Sequence, residues 1–170
     1  AQARAALSFM VGELRPEDRF NIVSYSTEVT LLADRLVAPT PDAIADALEF
    51  IEGIEADGGT DIGQALNAAA DLFDDTDVFN QIVFLTDGLP THGLTDTSRL
   101  CASVRDANEH EVRLVAFGLG FDVNGVLLDR LAEENRGMSE YVLPDQDIEE
   151  RVPGFYARMR TPLLLDAALS

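Results

Sequence analysis

QIVFLTDG (residues 81–88) is the stretch on which the fold turns. Ile82, Val83, Phe84 and Leu85 are apolar without a break, so the run lacks the in–out alternation of a half-solvated strand. A short continuous apolar run is instead expected of a parallel strand covered by helices on both faces. It ends on Asp87, which puts a carboxylate at the carboxyl end of that strand.

Downstream, the loop GLPTHGLTD leads to a helix with Leu100, Val104 and Ala107 on one side, and VRLVAFGLG (residues 112–120) reads as a second buried strand. Asn124 caps a further helix with Leu127, Leu128 and Leu131 as its apolar face, Gly137 ends it, and EYVL makes a short last strand. The tail reads as a helix broken at Pro153-Gly154.

Upstream, Ala6, Leu7, Phe9, Met10 and Leu14 recur at helical spacing until Arg15-Pro16. FNIVSYS (residues 20–26) is rich in strand formers, and TEVTLLA follows it as a hairpin partner. Thr40 and Pro41 open a helix with Ile44, Leu48 and Ile51 on one face, and Gly53 favours its end. Gly58-Gly59 then turns the chain onto Thr60, which opens a helix with Ile62, Leu66, Ala69 and Phe73 as its buried stripe. Strands separated by helices of this length predict an α/β fold: an open, mostly parallel, doubly wound sheet with helices on both faces. In such sheets ligands bind outside the carboxyl ends of the strands. Thr60 and Asp87 belong at that edge.

Composition narrows the classes of function. A chain of 170 residues is long enough for one domain that buries roughly 70% of its unfolded surface. The 46% apolar content excludes intrinsic disorder. Against 31 Asp and Glu stand 12 basic residues, all Arg, for a net charge of -19, and no arginines cluster, so nucleic acid is excluded as a partner. The acidity reads as a solvated surface; absence of Lys fits a high-salt habitat or GC-rich coding. Cys101 is the single cysteine, so no internal disulfide or thiolate metal cluster forms. No apolar stretch approaches the ~20 residues needed to cross a bilayer, and the first residues lack the pattern of a signal peptide.

A hydroxyl oxygen from a loop and a carboxylate from a strand end are hard ligands suited to Mg2+, Ca2+ or Mn2+. Taken singly, Thr60 is as readily a helix cap and Asp87 a turn former. The surrounding pattern adds weight to the pair. RPEDRFNIVSYST, GGTDIGQAL and QIVFLTDG together resemble the von Willebrand factor A-type domain, a metal-ion-dependent adhesion module. FGLGFDVNGVLLDRLAEENRG and GFYARMRTPLLLD are further similar to the heavy chains of inter-alpha-trypsin inhibitor and their bacterial relatives.

That resemblance implies protein–protein binding rather than catalysis, through a cation that a partner's Asp or Glu completes. It implies Thr60 and Asp87 as ligands. Beside them, Asp61 is either a rim residue that tunes the local field or, more simply, a first-turn acid stabilised by the helix dipole, and Asp57, His92 and the LPTHGLT loop are placed to shape the rim. The resemblance also implies an extracytoplasmic parent protein with cell-adhesion-type function. The family's other ligands come from an Asp-x-Ser-x-Ser motif on a central strand, which this sequence does not contain. By the family's strand order that strand lies between FNIVSYS and QIVFLTDG. The expectations are a domain over residues 1–161 lacking its first central strand, with residues 162–170 beginning a following segment. The sheet then closes directly, borrows a strand, or associates with another copy, and the ion binds weakly or not at all.

Two other classes compete. An enzyme is disfavoured, because no Gly-x-Ser-x-Gly elbow, phosphate-binding Gly-x-x-x-x-Gly-Lys loop or dinucleotide fingerprint occurs. His92 and His110 are the only imidazoles; both read as surface residues, with His92 the better placed for a ligand or proton-transfer role. A metal-independent scaffold domain is the remaining alternative.

Overall fold

The computed structural model describes residues 2–26, 28–54, 59–74, 78–143, 146 and 148–159. Asp57, Gly58 and the 162–170 segment lie outside the described residues. The elements run α1 (Gln2–Gly12), β1 (Val23–Tyr25), β2 (Val29–Leu31), α2 (Pro41–Glu52), α3 (Ile62–Ala70), β3 (Gln81–Thr86), α4 (Thr97–Ala107), β4 (Arg113–Leu119), α5 (Gly125–Glu134), β5 (Met138–Val142) and α6 (Ile148–Met159).

The apolar run of β3 does what its sequence predicts. It pairs in parallel with β4, Ile82 opposite Leu114 and Thr86 opposite Gly118, and β4 pairs in parallel with β5, Val115 opposite Met138. Successive side chains of a strand point to opposite faces, and here each face has its own cover. Ile82, Phe84, Leu114 and Ala116 pack with Ile62, Leu66, Leu100 and Leu128 of α3, α4 and α5. Val83, Leu85, Val115, Phe117 and Leu119 pack with Ala6 and Met10 of α1 and with Phe155 and Tyr156 of α6. The ring of Phe155 meets that of Phe117 edge-on at 4.1 Å, and Tyr156 meets Phe9 at 6.0 Å. All seven residues of β4 are buried.

Local chemistry starts the helices. The Thr40 side chain accepts from the Ala43 amide with Pro41 in the first turn, Asp96 accepts from Arg99, and Asn124 accepts from Leu127. Two expectations need correction. The cap of α3 is Asp61, whose carboxylate accepts from the Gln64 amide, so Thr60 lies outside the helix. Pro153 also does not break the tail, because α6 runs through it. Val152, Phe155 and Tyr156 are buried on either side of Pro153. Their burial outweighs the hydrogen bond that proline cannot donate.

β1 pairs antiparallel with β2, Val23 opposite Leu31, and among the described residues neither strand joins β3. Direct closure of the sheet is therefore not the arrangement adopted. What crosses between the two sheets is a side chain. The Tyr25 hydroxyl donates to the Leu85 carbonyl at 2.9 Å, and its ring lies 5.7 Å from that of Phe84. Burial raises the pKa of this phenol, a hydrogen bond with Thr86 opposes the rise, and the carboxylate of Asp87 adds to it.

A folded-state pKa above the ordinary 10.0 means that the contribution of Tyr25 is complete below pH 10 and is lost as pH climbs further. Tyr25→Phe is expected to cost about 1 kcal/mol at neutral pH and to flatten the alkaline fall in stability, both read by urea titration. Some slope persists through Tyr141, raised to about 12 by burial and then by its bond to Asp129. A second test concerns Gly137, where a Cβ would stand 1.6 Å from the Leu114 carbonyl oxygen. Gly137→Ala is expected to destabilise by about 2–3 kcal/mol in the same titration.

Candidate functional site

Parallel strands deliver their carboxyl ends to one edge, and both predicted ligands stand there. Asp87 is the first residue after β3. Its turn is held by Thr86, a buried residue whose hydroxyl lies 3.3 Å from the Gly88 carbonyl and 3.4 Å from the Gly88 amide. The Asp87 carboxylate is exposed, and its charge reaches the phenol of Tyr25.

Thr60 arrives from the other side, on the turn that leads into α3. Its amide donates to the Thr91 hydroxyl at 2.8 Å, and its carbonyl accepts from the amides of Thr91 and His92 at 3.0 and 3.2 Å. The next residue is tied in as well, since the Asp61 amide donates to the Ser26 carbonyl at 3.1 Å. Segments from the ends of β1 and β3 therefore meet at residues 60 and 61.

Two glycines make this close approach possible. An added Cβ at Gly59 would lie 1.7 Å from His92 Nδ1. Gly93 adopts a φ of 65°, and a Cβ there would lie 2.3 Å from Asp61 Oδ2. The His92 ring thus rests against the Gly59 backbone, although the residue as a whole is exposed. The Thr91 hydroxyl lies 3.2 Å from His92 Nδ1 and donates to it when that nitrogen carries no proton.

The predicted residues now separate by role. Thr60 and Asp87 share the edge, and among the described residues neither the Thr60 hydroxyl nor the Asp87 carboxylate is taken up by a hydrogen bond or ion pair. One hydroxyl and one carboxylate fit a hard divalent cation in kind but supply only part of its usual six or more oxygens. No cluster of three or more His, Cys, Asp or Glu is present among the described residues to complete the set. Asp61 is occupied as the α3 cap, and His92 packs beside Thr60. Sequence reasoning placed Thr91 in a rim loop without assigning it a partner. The contact spans 31 residues, and no local pattern encodes it.

Two other polar groupings are present among the described residues, and the second borders Asp61 and Gly93 beside Thr60. Asp129 accepts from Ser139 Oγ at 2.5 Å and from the Tyr141 hydroxyl at 2.6 Å, and these bonds hold its carboxyl below the usual range. They tie α5 to β5. A shallow groove of about 650 Å³ between α3 and α4 includes Gln64, Asn67, Asp71 and Ser103 in its lining.

Comparison with known proteins places this architecture. The family model for the von Willebrand factor type A domain matches residues 1–141. The chain is 32% identical to inter-alpha-trypsin inhibitor heavy chain H2 of Mus musculus, over 96% of this chain and 18% of that protein. It is 34% identical to heavy chain H6 of Homo sapiens, over 99% of this chain and 14% of that one. It therefore spans less than a fifth of the length of these relatives. Among solved structures, a von Willebrand factor type A protein from Catenulispora acidiphila superposes with a TM-score of 0.79 at 20% identity, covering 93% of this chain and 37% of that one. Proximal thread matrix protein 1 from the mussel byssus, in a form with a zinc-occupied MIDAS motif, gives 0.63 at 20% identity, covering 89% and 39%. By its sequence and by its fold, the chain belongs to the von Willebrand factor type A domain family.

Proposed function

We propose that this chain is a protein-interaction module whose Thr60 and Asp87 contribute to a divalent-cation site. The observation that carries the reading is chemical. Two hard-oxygen side chains stand at the ligand-binding edge of the sheet, without a hydrogen bond or ion pair among the described residues, while the amide and carbonyl of Thr60 are both bonded. A structural neighbour with zinc in its MIDAS motif supports the same class of ion site.

On this reading Thr60 supplies a neutral oxygen, Asp87 an anionic one, and a partner's Asp or Glu approaches the same ion. Mg2+ is the expected ion, with Ca2+ or Mn2+ able to substitute. Its positive centre offsets repulsion between an acidic partner and a chain of net charge -19. The remaining ligands, and a strand between β1 and β3, come from outside these 170 residues, from preceding sequence or from a second copy. An extracytoplasmic setting belongs to the same proposal, and no described helix is long and apolar enough to cross a membrane. The role is binding, with no reaction step assigned to any residue.

Calorimetry checks the ion. Mg2+ is expected to bind this chain weakly and to bind a form extended upstream by the missing strand at least roughly 10-fold more tightly. Thr60→Ala and Asp87→Asn each remove most of that gain. Equal affinity in the two lengths would sink the shared-site reading and favour a metal-independent scaffold. Light scattering checks strand supply: a concentration-dependent dimer is expected of the short form, and a monomer at every concentration would remove association between copies.

A further inference from the structure

The loop that follows Asp87 does more than border the edge. Thr91 engages both polar groups of the Thr60 peptide, its hydroxyl accepting from the amide at 2.8 Å and its own amide donating to the carbonyl at 3.0 Å. His92 adds a second donor to that carbonyl at 3.2 Å. With both ends of one residue held by one partner, φ and ψ of Thr60 have little freedom, so the direction of its Cα–Cβ bond is set. The hydroxyl of Thr60 is left over.

Thr91 stands four residues from Asp87, on the same outgoing chain and directly after Pro90, whose φ is fixed. Thr86 holds the turn at Asp87 through its contacts with Gly88. Two glycines sit where any larger residue would push the segments apart, Gly59 beneath His92 and Gly93 against Asp61. A loop that only covered the surface would not require either. The segment 87–91 is thus a short link, fixed at Pro90, with one oxygen ligand at its start and the grip on the other at its end.

We propose that Thr91 is a positioning residue that holds Thr60 in ion-binding register with Asp87, an inference that rests on the cation reading above. Its hydroxyl satisfies the Thr60 amide so that the hydroxyl of Thr60 itself stays available to a metal. The two ligands then move as one body.

The test uses this chain with assigned amide signals, and Mn2+ as the probe because its paramagnetism broadens nearby signals even at low occupancy. Thr91→Val keeps the shape of an exposed side chain and removes the acceptor. Without Mn2+, exchange of the Thr60 amide with solvent is expected to rise roughly fivefold or more, while amides of β4 are unchanged. With Mn2+, broadening at Thr60 is expected to fall by at least half while that at Asp87 persists, and Thr91→Ser is expected to restore both. Unchanged exchange at Thr60 in Thr91→Val overturns the grip. Faster exchange with undiminished broadening overturns the positioning role. If the unsubstituted chain shows no more broadening at Thr60 and Asp87 than at the exposed Asp42, the cation reading falls and the positioning role with it. In that case a response in the exchange arm marks Thr91 as a purely structural tie.

Discussion

Every residue of β4 is withdrawn from water, and the rest of the molecule is arranged to satisfy that condition. A strand apolar on both faces needs a layer above and a layer below, and neither layer alone suffices. Helices α3, α4 and α5 supply one, and α1 with α6 supplies the other. Tight packing follows: at Gly118 even a methyl group would come within 2.8 Å of the Tyr141 ring. Because the covering helices connect parallel strands, the carboxyl ends of β3, β4 and β5 emerge together. The edge that carries Asp87 is therefore a by-product of burying β4.

At that edge the rigid part is the backbone and the free part is the side chains. The peptide of Thr60 and the amide of Asp61 are bonded to distant segments, which leaves their local conformation independent of any ligand. The α3 cap uses the Asp61 carboxylate, so the negative charge nearest the helix N-terminus is already engaged there. Asp87 has no such duty: its carboxylate is exposed, and its charge reaches the half-buried phenol of Tyr25. Of the two acids, Asp61 serves the structure, while the Asp87 carboxylate makes no hydrogen bond or ion pair among the described residues.

How much of this was legible in the sequence depends on the range over which each feature is decided. Burial of β3 and β4 follows from runs of apolar residues, and the caps at Thr40 and Asn124 are local side-chain-to-amide bonds. The start of α3 was misread because Thr60 and Asp61 are both capable caps. The choice between them is made by residues 91 and 92, which draw the Thr60 peptide away from the helix. α6 was misread for a similar reason. Proline is a strong local signal, yet burial of Phe155 against Phe117 and of Tyr156 against Phe9 decides the outcome at long range. FNIVSYS reads as a seven-residue strand, but only Val23–Tyr25 forms one, since β2 is the sole ladder partner it finds among the described residues. Phe20 meets Val37 in a lone bridge.

The phenol that spans the two sheets also shapes how the molecule can be watched. The chain has no tryptophan and three tyrosines, so its near-ultraviolet signal comes chiefly from Tyr25, Tyr141 and Tyr156. Each of the three sits at a joint: between the two sheets, between α5 and β5, and between α6 and α1. Tyr25 alone among them joins the β1-β2 sheet to β3. Its hydroxyl bond to the Leu85 carbonyl and its ring contact with Phe84 make the optical spectrum of the protein a built-in gauge of how the two sheets are joined.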